Sequence, residues 1–99
     1  MDDLKATTKQ VIATYAQDAI NGYSQMTANA NDTLWTVIAV GSVRGVPVVE
    51  TGLVVRIVGE SIIIERDIND KPLVDALQAA GVPREQIILA YAGEVLAAS

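Results

Sequence analysis

The sequence predicts a two-layer α+β domain, with elements in the order α-β-β-β-α-β and helices packed on a mostly antiparallel sheet. Three observations predict it. An apolar stripe at helical spacing opens the chain, segments rich in β-branched residues and broken by glycine turns fill its middle, and a short capped helix leads into a last strand. With 99 residues, 51% of them hydrophobic, residues 1–99 form one domain with enough apolar surface for a single core.

The first helix is predicted from Leu4, Val11, Ile12, Tyr15, Ala19 and Ile20, which fall on one stripe. Asp2 and Asp3 suit the positive end of its dipole, and Asn21-Gly22 supplies a left-handed stop. Tyr23 to Thr33 is polar without a clear period and reads as a loop. Leu34 to Val40 is apolar on both alternating faces, a strand covered on both sides, and Gly41 to Gly45 is read as the turn after it. After Pro47 a long β-branched run places Thr51, Leu53, Val55 and Ile57 on a core face, with Glu50, Gly52, Val54, Arg56 and Val58 opposite. Gly59-Glu60 fits a type II′ turn, so Ser61 to Arg66 returns as the second strand of a hairpin. Asn69-Asp70 offers an N-cap, and Leu73, Val74, Leu77 and Ala80 form the stripe of a helix over about Asp70 to Ala80. Gly81 and Pro83 end it, and Gln86 to Tyr91 is the final strand.

Composition excludes much chemistry. The chain has neither cysteine nor histidine, which removes disulfides, thiol nucleophiles, Cys/His zinc sites and imidazole acid-base catalysis. Seven basic residues against twelve acidic ones give a net charge of −5, a field that disfavours tight DNA binding and suits a basic protein partner. No apolar run approaches a bilayer span, and the first residues carry no basic, apolar signal, so a cytoplasmic protein without a membrane role is expected.

The residues that carry the remaining chemistry are few. Glu65 and Asp67, two apart on a strand, are expected to share a face, and paired carboxylates of that kind hold Mg²⁺ or share a proton. A strand end is also where solvated charges ordinarily collect, so neither a metal nor any other cofactor is expected. Gly41 to Gly45 lacks the following helix that a phosphate-cradling loop requires. Trp35 reads as a buried strand residue rather than a base-stacking platform. Arg44, Arg56, Arg66 and Arg84 make a DNA surface only if the fold brings them to one face, and among them Arg56 and Arg66 are the neighbours across the hairpin.

The run from Gly52 to Asp67, followed by Leu77 to Tyr91, resembles the XisI family, the fdxN element excision controlling factors. The spacing from hairpin to Gly81-Val82-Pro83-Arg84-Glu85 agrees without a gap, and Tyr15 to Gln17 of the first helix fits more loosely. The sequence departs from the family where Gly59-Glu60 replaces an Asp-Gly turn, where Ile63 replaces a Trp, and where Asn69-Asp70 replaces a Thr-Glu helix start. Its last strand continues into Ala92 to Ser99 in place of a His-Pro-Pro segment.

The resemblance implies a cytoplasmic accessory protein, of cyanobacteria and some other bacteria, linked to excision of a DNA element during heterocyst development. It implies that the recombination chemistry belongs to a separate recombinase complex, and that a nuclease-like protein encoded by an adjacent gene is the partner. No catalytic residue transfers from it. Three readings follow: a non-catalytic interaction protein that binds this partner, a direct DNA-binding regulator of recombination, and a metal-dependent nucleic-acid enzyme built on Glu65 and Asp67. Open sheet edges and the apolar tail Val95 to Ala98 further lead us to expect a homodimer.

Overall fold

The computed structural model describes residues 2–96, with the side chain of Asp2 left aside, and shows two helices against a six-stranded sheet in the sequential order β1 to β6. Helix α1 spans Asp2–Ala13. Strands β1 (Asp18–Ala19), β2 (Gly22–Ala28), β3 (Leu34–Val43), β4 (Val46–Val58) and β5 (Ser61–Asp67) form an antiparallel meander. Helix α2 (Leu73–Ala79) then crosses over to β6 (Ile87–Leu89), which pairs parallel to β5. The α+β class holds, with two more strands than the sequence suggested. Of the tail, Ala97 and Ala98 lie outside the described residues.

Helix α1 ends eight residues before the predicted stop. The Thr14 hydroxyl donates to the Val11 carbonyl at 2.6 Å, and the Thr14, Tyr15 and Ala16 amides turn back to carbonyls three residues earlier. These bonds close the last turn and release the chain. Ala19 and Ile20 therefore leave the helical stripe, and Ile20, at 102% exposure, stands at the tip of the β1–β2 hairpin. The segment read as a loop contains β2. Its polar residues pair along their length with β3, from Gly22 opposite Gly41 to Ala28 opposite Trp35, and the Thr27 and Thr36 hydroxyls bond across the pair. A strand held by backbone bonds to an apolar neighbour does not need apolar residues of its own.

The turn predicted at Gly41 to Gly45 is shorter. Strand β3 continues to Val43, paired with Val46, and Arg44-Gly45 alone make the connection with φ of 54° and 79°, a type I′ turn. The β4–β5 turn is as predicted: Val58 pairs with Ser61, and Gly59 has φ of 59°. Helix α2 starts later than expected, after Pro72, and carries no side-chain cap of its own. Its C-terminus follows the prediction. The Val82 amide donates to the Leu77 carbonyl and the Gly81 amide to that of Gln78, the Schellman pattern, with Gly81 at φ of 102°.

Two bulges set which side chains face the helices. Val37 pairs with Leu53 but Ile38 pairs with Thr51, so Gly52 is an extra residue in β4. Val54 pairs with Arg66 but Val55 pairs with Ile64, so Glu65 is an extra residue in β5. Each bulge inverts the alternation beyond it. Leu53 and Val55 are buried as predicted, and Ile57 packs against them. Thr51, expected on their face, pairs instead with Ile38 on the other, while Val48 and Glu50 join the helix side.

The core is Ile12 of α1, Trp35 and Val37 of β3, Leu53 and Val55 of β4, Ile62 and Ile64 of β5, Leu73 and Leu77 of α2, with Val82 and Ile87. Trp35 is fully buried, as expected, with its indole N–H toward the Asp32 carboxylate at 3.4 Å. Lys9 of α1 also meets Asp32 at 3.0 Å, and the Lys5 ammonium donates to the Asn31 carbonyl, tying the helix to the β2–β3 turn.

The Gly22–Gly41 pair is a close backbone approach. A Cβ on Gly22 would lie 2.0 Å from the Val40 carbonyl oxygen, whereas one on Gly52 would meet nothing nearer than 3.8 Å. Gly22→Ala is therefore expected to lower unfolding free energy by about 1–3 kcal/mol. Gly52→Ala should stay within about 1 kcal/mol of the parent. Urea denaturation of both variants checks the contrast, and equal losses would contradict this packing.

Candidate functional site

The bulge at Glu65 separates the two carboxylates that the sequence placed together. Glu65 and Arg66 both lie on the sheet face away from the helices, and Asp67, opposite the buried Leu53, lies on the helix side. Glu65 accepts from the Arg56 guanidinium at 2.6 Å. Asp67 is engaged through both oxygens: Oδ1 accepts from the Asn69 amide at 3.0 Å and its side-chain Nδ2 at 2.8 Å, and Oδ2 accepts from the Leu73 amide at 2.7 Å. Asp67 thus satisfies an orphan amide at the start of α2 from six residues upstream. The predicted cap, Asn69, instead bridges Asp67 to the Gly52 carbonyl at 3.3 Å. No cluster of three or more carboxylates with metal-binding geometry occurs among the described residues.

The four arginines do not share a surface. Arg56 is paired with Glu65, and Arg66 donates to the Thr51 carbonyl at 2.7 Å on the same face. Arg84 donates to the Ile87 carbonyl at 2.7 Å and meets Glu94 at 2.8 Å. Its neighbour Ile87 pairs with Ile62 and, through it, Ile57 near one end of β4, whereas Arg44 lies beyond Val46 at the other end. Eleven residues of extended strand, roughly 35 Å, separate those ends.

The geometry assembles an acidic surface that sequence reasoning did not single out. Asp67, Asp70 and Asp75 surround the start of α2, and Glu94 follows β6. Two tyrosines border them. The Tyr15 hydroxyl donates to the Lys71 carbonyl at 2.8 Å, closing a shallow polar cleft of about 360 Å³ with Thr14, Gln17, Asn69 and Asp70. Burial raises the Tyr15 pKa above its usual 10.0, and the charges of Asp67 and Asp75 push it further. Tyr91 responds likewise, to burial first and then to Asp67, Glu94 and Asp75, with Arg84 opposing. Asp67 and Asp75 thus act on both phenols, after burial. The signal in the sequence was the spacing of acids around Pro72, legible only once the crossover brings Tyr15 and Tyr91 beside them.

Beyond Glu50 the β3–β4 hairpin runs past the helices. Val43, Val46, Val48 and Val49 are exposed there. An open groove of about 240 Å³ lies beside them, floored by Gly22 and Gly41 and walled by Ala39, Val43, Val48 and Glu50.

Two outcomes follow for the charged groups. Asp67→Ala should cost about 1–2 kcal/mol by removing the bond to the α2 amide, and Glu65→Ala less than about 1 kcal/mol, since its ion pair is exposed. Thermal or urea unfolding distinguishes them. The Leu89 amide and then Arg84 hold Glu94 below its ordinary 4.5, and the bond from Lys9 leads in holding Asp32 below 3.8. Because both are lowered on folding, the stability they contribute is complete above pH 4.5 and lost as pH falls through their folded values. The urea midpoint should therefore drop on acidification from pH 5 to 3, and drop less in the Asp32→Asn/Glu94→Gln double variant. An equal slope in both proteins would contradict it.

Comparison with known proteins supplies the family. The family model described as XisI protein matches residues 1–96. The crystal structure of a XisI-like protein from Anabaena variabilis ATCC 29413 superposes with a TM-score of 0.68 at 18% identity, covering 89% of this chain and 83% of that one. The fdxN element excision controlling factor XisI from the same organism superposes with a TM-score of 0.66 at 22% identity, over 88% of each chain. No curated protein matches by sequence. The agreement of the family model over nearly the whole chain with the shared two-layer fold leads to one conclusion: this chain belongs to the XisI family.

Proposed function

We propose that this protein is a non-catalytic control factor for site-specific excision of a DNA element, acting in the cytoplasm by binding a basic, nuclease-like protein encoded by an adjacent gene. The observation that carries this reading is the acidic surface around α2, where Asp70 and Asp75 are exposed, Asp70 lines a cleft with Tyr15, and Glu94, paired with Arg84, acts on Tyr91. An acidic patch bordered by aromatic side chains suits a cationic protein surface, since complementary charge speeds encounter and tyrosine supplies contact area with a polar tip. Family membership supports the link to excision, because a structural neighbour is itself an excision controlling factor. Direct DNA binding is less well served. Three of the four arginines are held by carboxylates or carbonyls, and the fourth, Arg44, stands apart at a hairpin tip. No helix among the described residues is long and apolar enough to cross a membrane.

Co-expression with the neighbouring nuclease-like protein, followed by size-exclusion chromatography in low and moderate salt, tests the proposal. A mixed complex should elute, and Asp70→Lys/Asp75→Lys should weaken it by roughly tenfold or more. Separate elution, with this protein alone retaining duplex DNA at low salt and losing it as salt rises, would favour the DNA-binding reading instead.

A further inference from the structure

The apolar end of the β3–β4 hairpin, beyond Glu50, is unused by the reading above. Val43 and Val46 are 60% and 61% exposed, and Val48 continues the patch on the same face. Monomeric proteins rarely leave so many clustered branched side chains in water without a partner for them. The patch is organised by the bulge at Gly52. Because that bulge inverts the alternation of β4, Val46, Val48 and Glu50 share the helix-side face, where Val48 and Glu50 wall the groove floored by Gly22 and Gly41. The floor is open because neither glycine carries a side chain, and Gly22 has no room for one.

Charge selects the occupant. The hairpin end has one cation, Arg44, at its tip, and one anion, Glu50, at its base, and neither forms an ion pair among the described residues. Val46 and Glu50 are four positions apart, about 14 Å of extended strand, so Arg44 beyond Val46 does not reach the Glu50 of its own chain. A second copy lying antiparallel, with a twofold axis beside Pro47, removes that separation. Val46 of one copy then falls against Val48 of the other, and Arg44 of each copy falls against Glu50 of the other. The apolar centre and the two flanking charges are self-complementary about one axis, the property an isologous interface requires.

We propose that this hairpin end is a homodimer interface in which a second copy of the chain lays its β3–β4 hairpin, antiparallel, into the groove, with two reciprocal Arg44–Glu50 pairs closing its ends.

Sedimentation velocity of the full chain over micromolar to millimolar concentration tests it. The parent should sediment as a dimer in the upper range. Val46→Glu/Val48→Glu should sediment as a monomer at every concentration, with an unchanged circular-dichroism spectrum, since both side chains are exposed. Arg44→Glu and Glu50→Arg should each weaken dimerisation tenfold or more, and the combined Arg44→Glu/Glu50→Arg protein should recover most of it, because the reversed charges meet again across the axis. That recovery is not available to a merely structural role. A parent that stays monomeric throughout, a dimer that survives the double valine substitution, or a combined variant as weak as its parts multiplied would each overturn the proposal. So would a dimer abolished by deleting residues 95–99 but indifferent to the valines. Because Val46 and Val48 are not among the residues of the acidic surface, Val46→Glu/Val48→Glu should still co-elute with the nuclease-like protein, so failure here and failure of the proposed function are separately visible.

Discussion

The extra residue at Gly52 is the constraint on which the rest of the sheet depends. It interrupts the pairing of β3 with β4 and turns over the face that β4 presents on either side of it. On one side Leu53 and Val55 pack under the helices; on the other Val48 and Glu50 continue along the same face into open groove. The bulge also leaves the Gly52 carbonyl free of the ladder, and two groups take it up: the Ile68 amide at 3.1 Å and the Asn69 side chain at 3.3 Å. Asn69 in turn holds Asp67, which holds the first amide of α2. A single inserted residue thus sets the sheet alternation, the exit of the chain from β5 and the start of the second helix.

The second bulge has a chemical consequence. By turning Asp67 toward the helices and leaving Glu65 outside, it converts a potential carboxylate pair into two structural contacts. The arginines are treated similarly. Each bond that Arg56, Arg66 and Arg84 make to a carboxylate or carbonyl reduces what they can offer to a phosphate. These charged side chains join elements, while others, Asp18, Glu60 and Glu85 among them, make no ion pair among the described residues.

The molecule is elongated, 49 Å along its long axis and 26 Å across the others, and the β3–β4 hairpin forms one end of it while the acidic surface lies nearer the middle, beside the Gly52 bulge. The acidic surface is bordered by Tyr15 and Tyr91; the hairpin end is apolar, with Arg44 and Glu50 at its margins. The two surfaces suit a protein with two kinds of contact, one that electrostatics steers and one that burial of branched side chains drives. They also account for the long β3–β4 pair, whose outer residues contribute little to the monomer's core.

What the sequence determined by itself was local. The Gly59 turn, the Schellman stop at Gly81, the buried Trp35 and the core residues Leu53, Val55, Leu73 and Leu77 are all legible, because each rests on a backbone preference or an apolar period within a few residues. The run from Gly52 to Tyr91 also carried the family resemblance that the family model bears out. Tertiary structure decided the rest. Strand β2 is a strand because β3 lies beside it, not because Gly22 to Ala28 prefers to be one. Helix α1 stops at Ala13 although its apolar stripe could be drawn to Ile20, since Thr14 caps it and the chain finds a sheet edge to join. Both bulges follow from registers set between strands far apart in sequence, and a one-residue change of register reverses every later side chain. For that reason the sequence put Thr51 in the core and Glu65 beside Asp67, and only the assembled sheet placed them otherwise.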